Sequence, residues 1–310
     1  VKPLSTADRF ERALSLLDAG REDEGRRELE ALARLDPPFA PALLELSALA
    51  LDAGEDEHDE RAVEAGAELA RRALEAARAG GLELVPFWEG VLDALIAAPG
   101  AFEPAHLRAL ETDLAGDPLV PLIQGIDAFY RADFPRAKGL LEAARGRDRE
   151  SALAAHYLGC VLERAGDLDR ADAELGAAAA LDPSAYAPPF RMSPPDWDAA
   201  VTSALAELPP EIAAALDSCV VLAEDFPSGS DVRAGTDPLG LGEFRGRNLG
   251  EGSVQDPGTG PSEVVLFRRN LEKIVSSRDD LIEEIRVTLF HEVGHALGFE
   301  EDGVDDLGLR

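Results

Sequence analysis

The sequence predicts an all-α solenoid of helix pairs followed by an α+β domain. Three observations predict it. Residues 5–185 are rich in Ala and Leu, with apolar residues at helical spacing and short Gly/Asp breaks. Residues 186–195 read Tyr-Ala-Pro-Pro-Phe-Arg-Met-Ser-Pro-Pro, too much proline for a helix interior. From 196 to 310 the texture changes to β-type runs, a glycine-rich stretch and one long helix. At roughly 100–200 residues per domain, a chain of 310 residues fits this two-part division, with 186–195 as the linker.

Composition narrows the function. Hydrophobic residues make up 45%, enough to build cores and to exclude wholesale disorder. With 61 acidic against 30 basic residues the net charge is −31, and only three of the bases are Lys. Phosphate recognition needs clustered cations, so nucleic acid is not an expected partner. No apolar run approaches the roughly 18 residues of a membrane span, so no membrane is expected either. The two cysteines, Cys160 and Cys219, are too far apart for a disulfide framework. A cytoplasmic location is the expectation. The chain starts at Val1 with no charged-then-apolar leader and no Met, so a removed leader stays open.

The first half repeats. At an offset of 34, Gly159 falls on Gly125, Ala171 on Ala137, Leu175 on Leu141 and Ala178 on Ala144. The later copy starts at Tyr157-Leu-Gly-Cys and closes at Leu181-Asp-Pro183. An earlier copy runs from Ala13 through Gly25, Leu29 and Leu32 to Asp36-Pro37. Another starts near Leu43 and carries an acidic insertion, Glu55 to Glu60. A degenerate one spans Phe87 to Pro118. Small residues stand where paired helices would touch, and a proline follows the second helix. This resembles the tetratricopeptide repeat and implies about five stacked pairs, each burying its apolar face on the next. Such an array serves protein or peptide binding in its groove, or acts as a spacer. Its histidines, His58, His106 and His156, lie in unrelated contexts and receive no chemical role.

In the second half, 198–208 reads as an amphipathic helix, with a further turn or two at 211–216. Cys219–Ala223 and Val264–Phe267 read as strands. The stretch from Gly229 to Gly260 reads as loops with short strands such as 242–246. The informative segment is Asp279-Asp-Leu-Ile-Glu-Glu-Ile-Arg-Val-Thr-Leu-Phe-His291-Glu292-Val-Gly-His295-Ala-Leu-Gly298. Asp279 suits an N-cap. Leu281, Ile285, Leu289, Val293 and Ala296 form an apolar stripe. His291 and His295, four apart, project from one helical face about 6 Å apart along the axis, which lets both imidazoles reach one Zn²⁺. Glu292 is rotated about 100° from His291, so it can take a proton from a metal-activated water without being a ligand. With five histidines in the chain, a chance His-Glu-x-x-His is on the order of 1%. Glu284 and Thr288 lie on the stripe of the two histidines, where they would hydrogen-bond the imidazoles or face solvent.

These residues, with Leu208-Pro209, the Glu-Asp-Phe-Pro ending at Pro227, Leu266-Phe-Arg-Arg and Asp305-Asp306-Leu-Gly308, make 197–310 resemble the short bacterial zincin-like metallopeptidases. The resemblance implies a minimal zincin domain, a small sheet over an active-site helix, with His291 and His295 as ligands and Glu292 as base. A catalytic zinc keeps three protein ligands, so one more is needed. The second half has no other His, and only 15 residues follow His295. Gly298 can end the helix and turn the chain back, which favours Glu301. Asp302, Glu300, Asp305, Asp306 and Cys219 remain open, and the family more often has Asp at this place. The expected function is a zinc-dependent endopeptidase whose helical array recruits or gates protein substrate. The alternative is a tetratricopeptide adaptor whose zincin domain is a non-catalytic, zinc-stabilised module.

Overall fold

The computed structural model describes residues 4–56, 59–208, 210–216, 219–246 and 262–296; within these the side chains at 56, 211, 212, 215, 295 and 296 are excluded. The chain forms two compact units, 1–127 and 128–310. The Pro-rich segment expected to separate the domains therefore lies inside the second unit, for a reason given below.

The first unit contains α1 (Thr6–Asp18), α2 (Glu22–Ala33), α3 (Ala40–Asp56), α4 (Glu60–Gly80), α5 (Val85–Ala97), α6 (Leu110–Asp113) and the start of α7 (Leu119–Tyr130). Ser5 starts α1 with a capping box: its hydroxyl accepts the Asp8 N–H, and the Asp8 carboxylate accepts the Ser5 N–H. Asp59 caps α4. Apolar residues at helical spacing meet between paired helices, where Ala13, Leu29, Leu32, Ala42 and Leu46 form one cluster. Gly25 is needed there, because a Cβ on it would stand 2.7 Å from Leu17 Cδ2. The degenerate copy has lost most of its second helix: after α5 come a single 3₁₀ turn at Pro99–Ala101 and the one-turn α6. Asp113 compensates by accepting from Arg78 Nε at 2.7 Å and Trp88 Nε1 at 3.0 Å.

The second unit continues with α8 (Phe134–Arg147), α9 (Ala152–Arg164), α10 (Leu168–Leu181), α11 (Pro194–Ala206) and α12 (Pro210–Leu216). Then come β1 (Cys219–Glu224), α13 (Gly229–Ala234), β2 (Gly242–Arg245), β3 (Ser262–Phe267), α14 (Arg268–Ile274) and α15 (Arg278–Ala296). The mixed sheet has the order β1-β3-β2. β3 runs parallel to β1, with Cys219 opposite Ser262, and antiparallel to β2, with Gly242 opposite Leu266. Its four apolar residues, Val264 to Phe267, are fully buried, as a central strand with both faces covered requires. Val264 and Leu266 join Trp197, Ala200 and Ala204 of α11 and Leu281, Ile285, Leu289 and Val293 of α15 in one core. Each large side chain buried there contributes about 1.5–3 kcal/mol.

One helix, α13, lies where loop was expected, and a second, α14, was not anticipated. α13 is set by a capping box between Ser228 and Asp231 and ended by Gly235 at φ 118°. α14 follows β3 directly and carries Glu272, fully buried, which receives Arg268 Nε at 2.9 Å, Arg269 Nη1 at 3.1 Å and the Met192 N–H at 3.2 Å.

Segment 186–193 has no regular structure but is not a free tether. The Arg191 guanidinium reaches Asp172 of α10, Glu163 of α9 and Glu272 of α14. Glu163 also accepts from Lys273 Nζ at 2.6 Å, and Lys273 donates to Asn270 at 3.0 Å. Arg164 lies over the rings of Phe134 and Phe226 and donates to the carbonyls of Pro227 and Pro238. The last helix pair and the mixed sheet thus share one set of buried charges. A charge stranded in such a place costs about 3–5 kcal/mol. Glu163→Ala leaves Lys273 with only Asn270 and the Phe226 ring and should cost about that much. Lys273→Met should cost less, because Arg191 still faces Glu163. Urea unfolding of the full chain carrying Trp88→Phe, read by Trp197 fluorescence, checks the order; a larger loss for Lys273→Met would contradict it. A fragment of 190–310 lacks α9 and should fail to fold, while 128–310 should fold.

Candidate functional site

The site is built on α15. Ser277 starts this helix: its hydroxyl accepts the Asp280 N–H at 3.1 Å, and its carbonyl accepts from Leu281. Asp279, expected as the cap, instead occupies the first turn with Asp280, where both carboxylates suit the helix dipole. Leu281, Ile285, Leu289 and Val293 recur every four residues and are all fully buried, which fixes the rotation of the helix against α11 and the sheet.

That rotation decides where the motif falls. His291 and Glu292 are half-buried. His295 is on the same helix, in its last turn, and its side chain is outside the described residues. One turn of backbone places positions 291 and 295 about 6 Å apart along the axis and about 40° apart around it. Glu292 sits toward β2. An ideal Cβ at Gly242 would stand 2.6 Å from Thr288 Cγ2 and 3.2 Å from both Glu292 Cγ and the Val265 carbonyl. The edge strand β2 therefore rides directly over Thr288 and Glu292, and only a residue without a side chain permits that approach. Glu292 lies under the first residue of a strand whose other edge, among the described residues, has no pairing strand.

Thr288 is 6% exposed, and its methyl faces Gly242. Glu284, one turn earlier, is half-buried; burial, then the Glu283 and Asp280 carboxylates, raises its pKa above the usual carboxylate value. β2 is held by Arg245, which reaches Glu224 at 2.8 Å, Glu243 at 2.8 Å and Asp231 at 3.2 Å. These bonds tie the ends of β1, β2 and α13 together. Gly242 and Arg245 were not singled out in the sequence, although an isolated glycine opening a strand is itself a sign of close backbone approach.

Glu301, with Glu300, Asp302, Asp305 and Asp306, lies outside the described residues, as does His58. Cys219 opens β1. The two remaining histidines have structural surroundings. His106 Nδ1 accepts from the Glu103 N–H, and its Nε2 is 3.2 Å from Arg71. His156 stacks on Tyr186 at 4.6 Å, 3.6 Å from Cys160 Sγ, and burial, aided by Lys273, pulls its pKa down to about 3. No three His, Cys, Asp or Glu side chains among the described residues group as a metal site. No helix among them is long and apolar enough to cross a membrane.

Residues 216–309 match the family model of the zincin-like metallopeptidases, a segment that contains the sheet, α13, α14 and α15. The family implies zinc and hydrolysis in general terms. No curated protein matches the chain.

The approach of β2 to α15 gives a test. Gly242→Ala should push β2 away from Thr288 and Glu292 and cost about 1–3 kcal/mol, as overpacking does. Thr288→Ser removes the nearest carbon and should restore part of that loss in the double variant. Thermal unfolding of the parent, both single variants and the double variant checks this, and strictly additive losses would contradict the contact.

Proposed function

We propose that the chain is a zinc-dependent endopeptidase in which His291, His295 and Glu301 hold the metal and Glu292 is the general base. The observation that carries this reading is the placement of positions 291, 292 and 295 on the last two turns of α15, inside the segment that matches the peptidase family. The donor chemistry fits zinc. Two imidazoles one turn apart and a carboxylate form a three-ligand set that leaves one position open. Zinc bound there supplies a Lewis acid and lowers the pKa of a water at the open position to about 7.

The rest is performed by the chain. The edge of β2 that is unpaired among the described residues is where an extended peptide would add as a further strand, its backbone hydrogen-bonded to 242–245. A peptide held there passes close to Glu292. The Glu292 carboxylate accepts the proton of the attacking water and delivers it to the departing amine, which separates the two fragments. Gly242 keeps the strand and the base in register, and the apolar stripe of α15 keeps the base from rotating away. The helix pairs of the first unit recruit or gate protein substrate.

A non-catalytic, zinc-stapled adaptor would have no use for a carboxylate beside its ligands. Glu292→Gln separates the two readings. Zinc content should hold at one per chain while cleavage of a denatured protein falls by about 10²–10⁴. Unchanged cleavage in that variant would sink the mechanism. For the third ligand, Glu301→Ala should lose zinc to a chelator well before Asp302→Ala does. The reverse order would move the ligand one residue on.

A further inference from the structure

We infer that the groove between α3 and α5 is a docking site for a short cationic peptide segment with apolar side chains between its charges. This rests on the recruiting role proposed above for the helix pairs and is independent of the peptidase chemistry. The groove is a concavity of about 520 Å³ within the first unit. Its floor is apolar, formed by Leu44, Leu51 and Ile96 among others. Leu44 fits where Gly90 has no side chain, since a Cβ on Gly90 would stand 2.3 Å from its Cδ1.

The two walls share one pattern. Along α3 the groove is met at 45, 48, 52 and 55, and along α5 at 86, 89, 93 and 96, a spacing of three, four and three in both. That spacing marks one continuous face of a helix, the face that packing usually makes apolar. Here it carries Glu45, Asp52 and Glu55 on one wall and Glu89 and Asp93 on the other, with no Lys, Arg or His among the described residues that line the groove. Some acids of this unit have a cationic partner, as Glu28 has Arg9 and Asp113 has Arg78. Among the described residues these five have neither an ion-pair partner nor a hydrogen bond. Burial and the neighbouring carboxylates raise the pKa of Glu45 and Asp93, as expected for a site whose negative charge is uncompensated.

An occupant must bring positive charge and cover apolar floor at once. The ten steps of helix from 45 to 55 span about 15 Å. That is the length of about four or five residues of extended chain. Arg or Lys at alternate positions would meet the walls, and the side chains between them would cover Leu44 and Leu51.

Fluorescence anisotropy on the full chain tests this, in the Glu292→Gln background so that the probe is not consumed. The probe is a fluorescein-labelled pentapeptide alternating Arg and Leu; its twin alternates Glu and Leu. The Arg peptide should bind, and the Glu twin should not. E45Q/D52N/E89Q/D93N should bind the Arg peptide about tenfold more weakly, the combined effect of four exposed charge pairs. E11Q/E22Q/E60Q/E75Q removes the same net charge outside the groove and should stay within about twofold of the parent. Ala48→Arg places a cation at the exposed middle of the α3 wall and should give the same loss as the groove variant. It serves as the second probe if the groove variant does not fold. Equal losses in the groove and control variants would assign binding to net charge and overturn the proposal. So would equal binding of the two peptides, or full affinity with Arg at 48.

Discussion

The second unit depends on the cost of burying charge. Glu163 and Glu272 are fully buried and Lys273 nearly so, and removing such groups from water costs several kcal/mol per ion unless each finds partners. Partners come from four places in the chain: α9, α10, the segment around Arg191 and α14. None of these elements can leave without stranding a charge. The helix pair α9–α10 is consequently part of the same folding unit as the mixed sheet, and the irregular stretch between them is held along its length. β3 leads directly into α14, and α15 packs against both. The helix that carries His291 and Glu292 is thereby supported by interactions far from it.

A second constraint operates closer to the motif. The contact of Gly242 with Thr288 and Glu292 leaves no room for a methyl group. It brings the edge of a strand close to the Cγ of Glu292, so that a Cβ at 242 would stand 3.2 Å from it. Arg245 holds the other end of that strand through three carboxylates. The arrangement places a strand edge that is unpaired among the described residues beside the Glu292 side chain, both on regular elements.

How much was legible in the sequence follows from the range of the forces. α15 could be read because its apolar residues recur every four positions and the motif stands on the opposite flank. The helix pairs could be read because Gly25 and Gly159 stand where helices meet. A Cβ on Gly159 would fall 2.6 Å from Leu175 Cγ. α13 was signalled by Ser228, Asp231 and Gly235, but the glycines around it suggested loop. α14 had no comparable signal, because its stability comes from Arg191, Arg268 and Arg269 meeting Glu272, in part over 80 residues of separation. The same long-range pairing ties segment 186–195 into the second unit, a contact that local proline content does not signal. At the start of α15 the cap was expected at Asp279, but it is the Ser277 hydroxyl that accepts the Asp280 N–H.

The account stands on one claim, that the end of α15 holds zinc through two imidazoles and a carboxylate with one position open. X-ray absorption at the zinc edge of the zinc-loaded full chain tests it directly. The account predicts two imidazole nitrogens at about 2.0–2.1 Å, oxygen donors completing four-coordination, and no sulfur. A sulfur scatterer at about 2.3 Å, which would bring in Cys219, or a coordination sphere of oxygens alone, would contradict it.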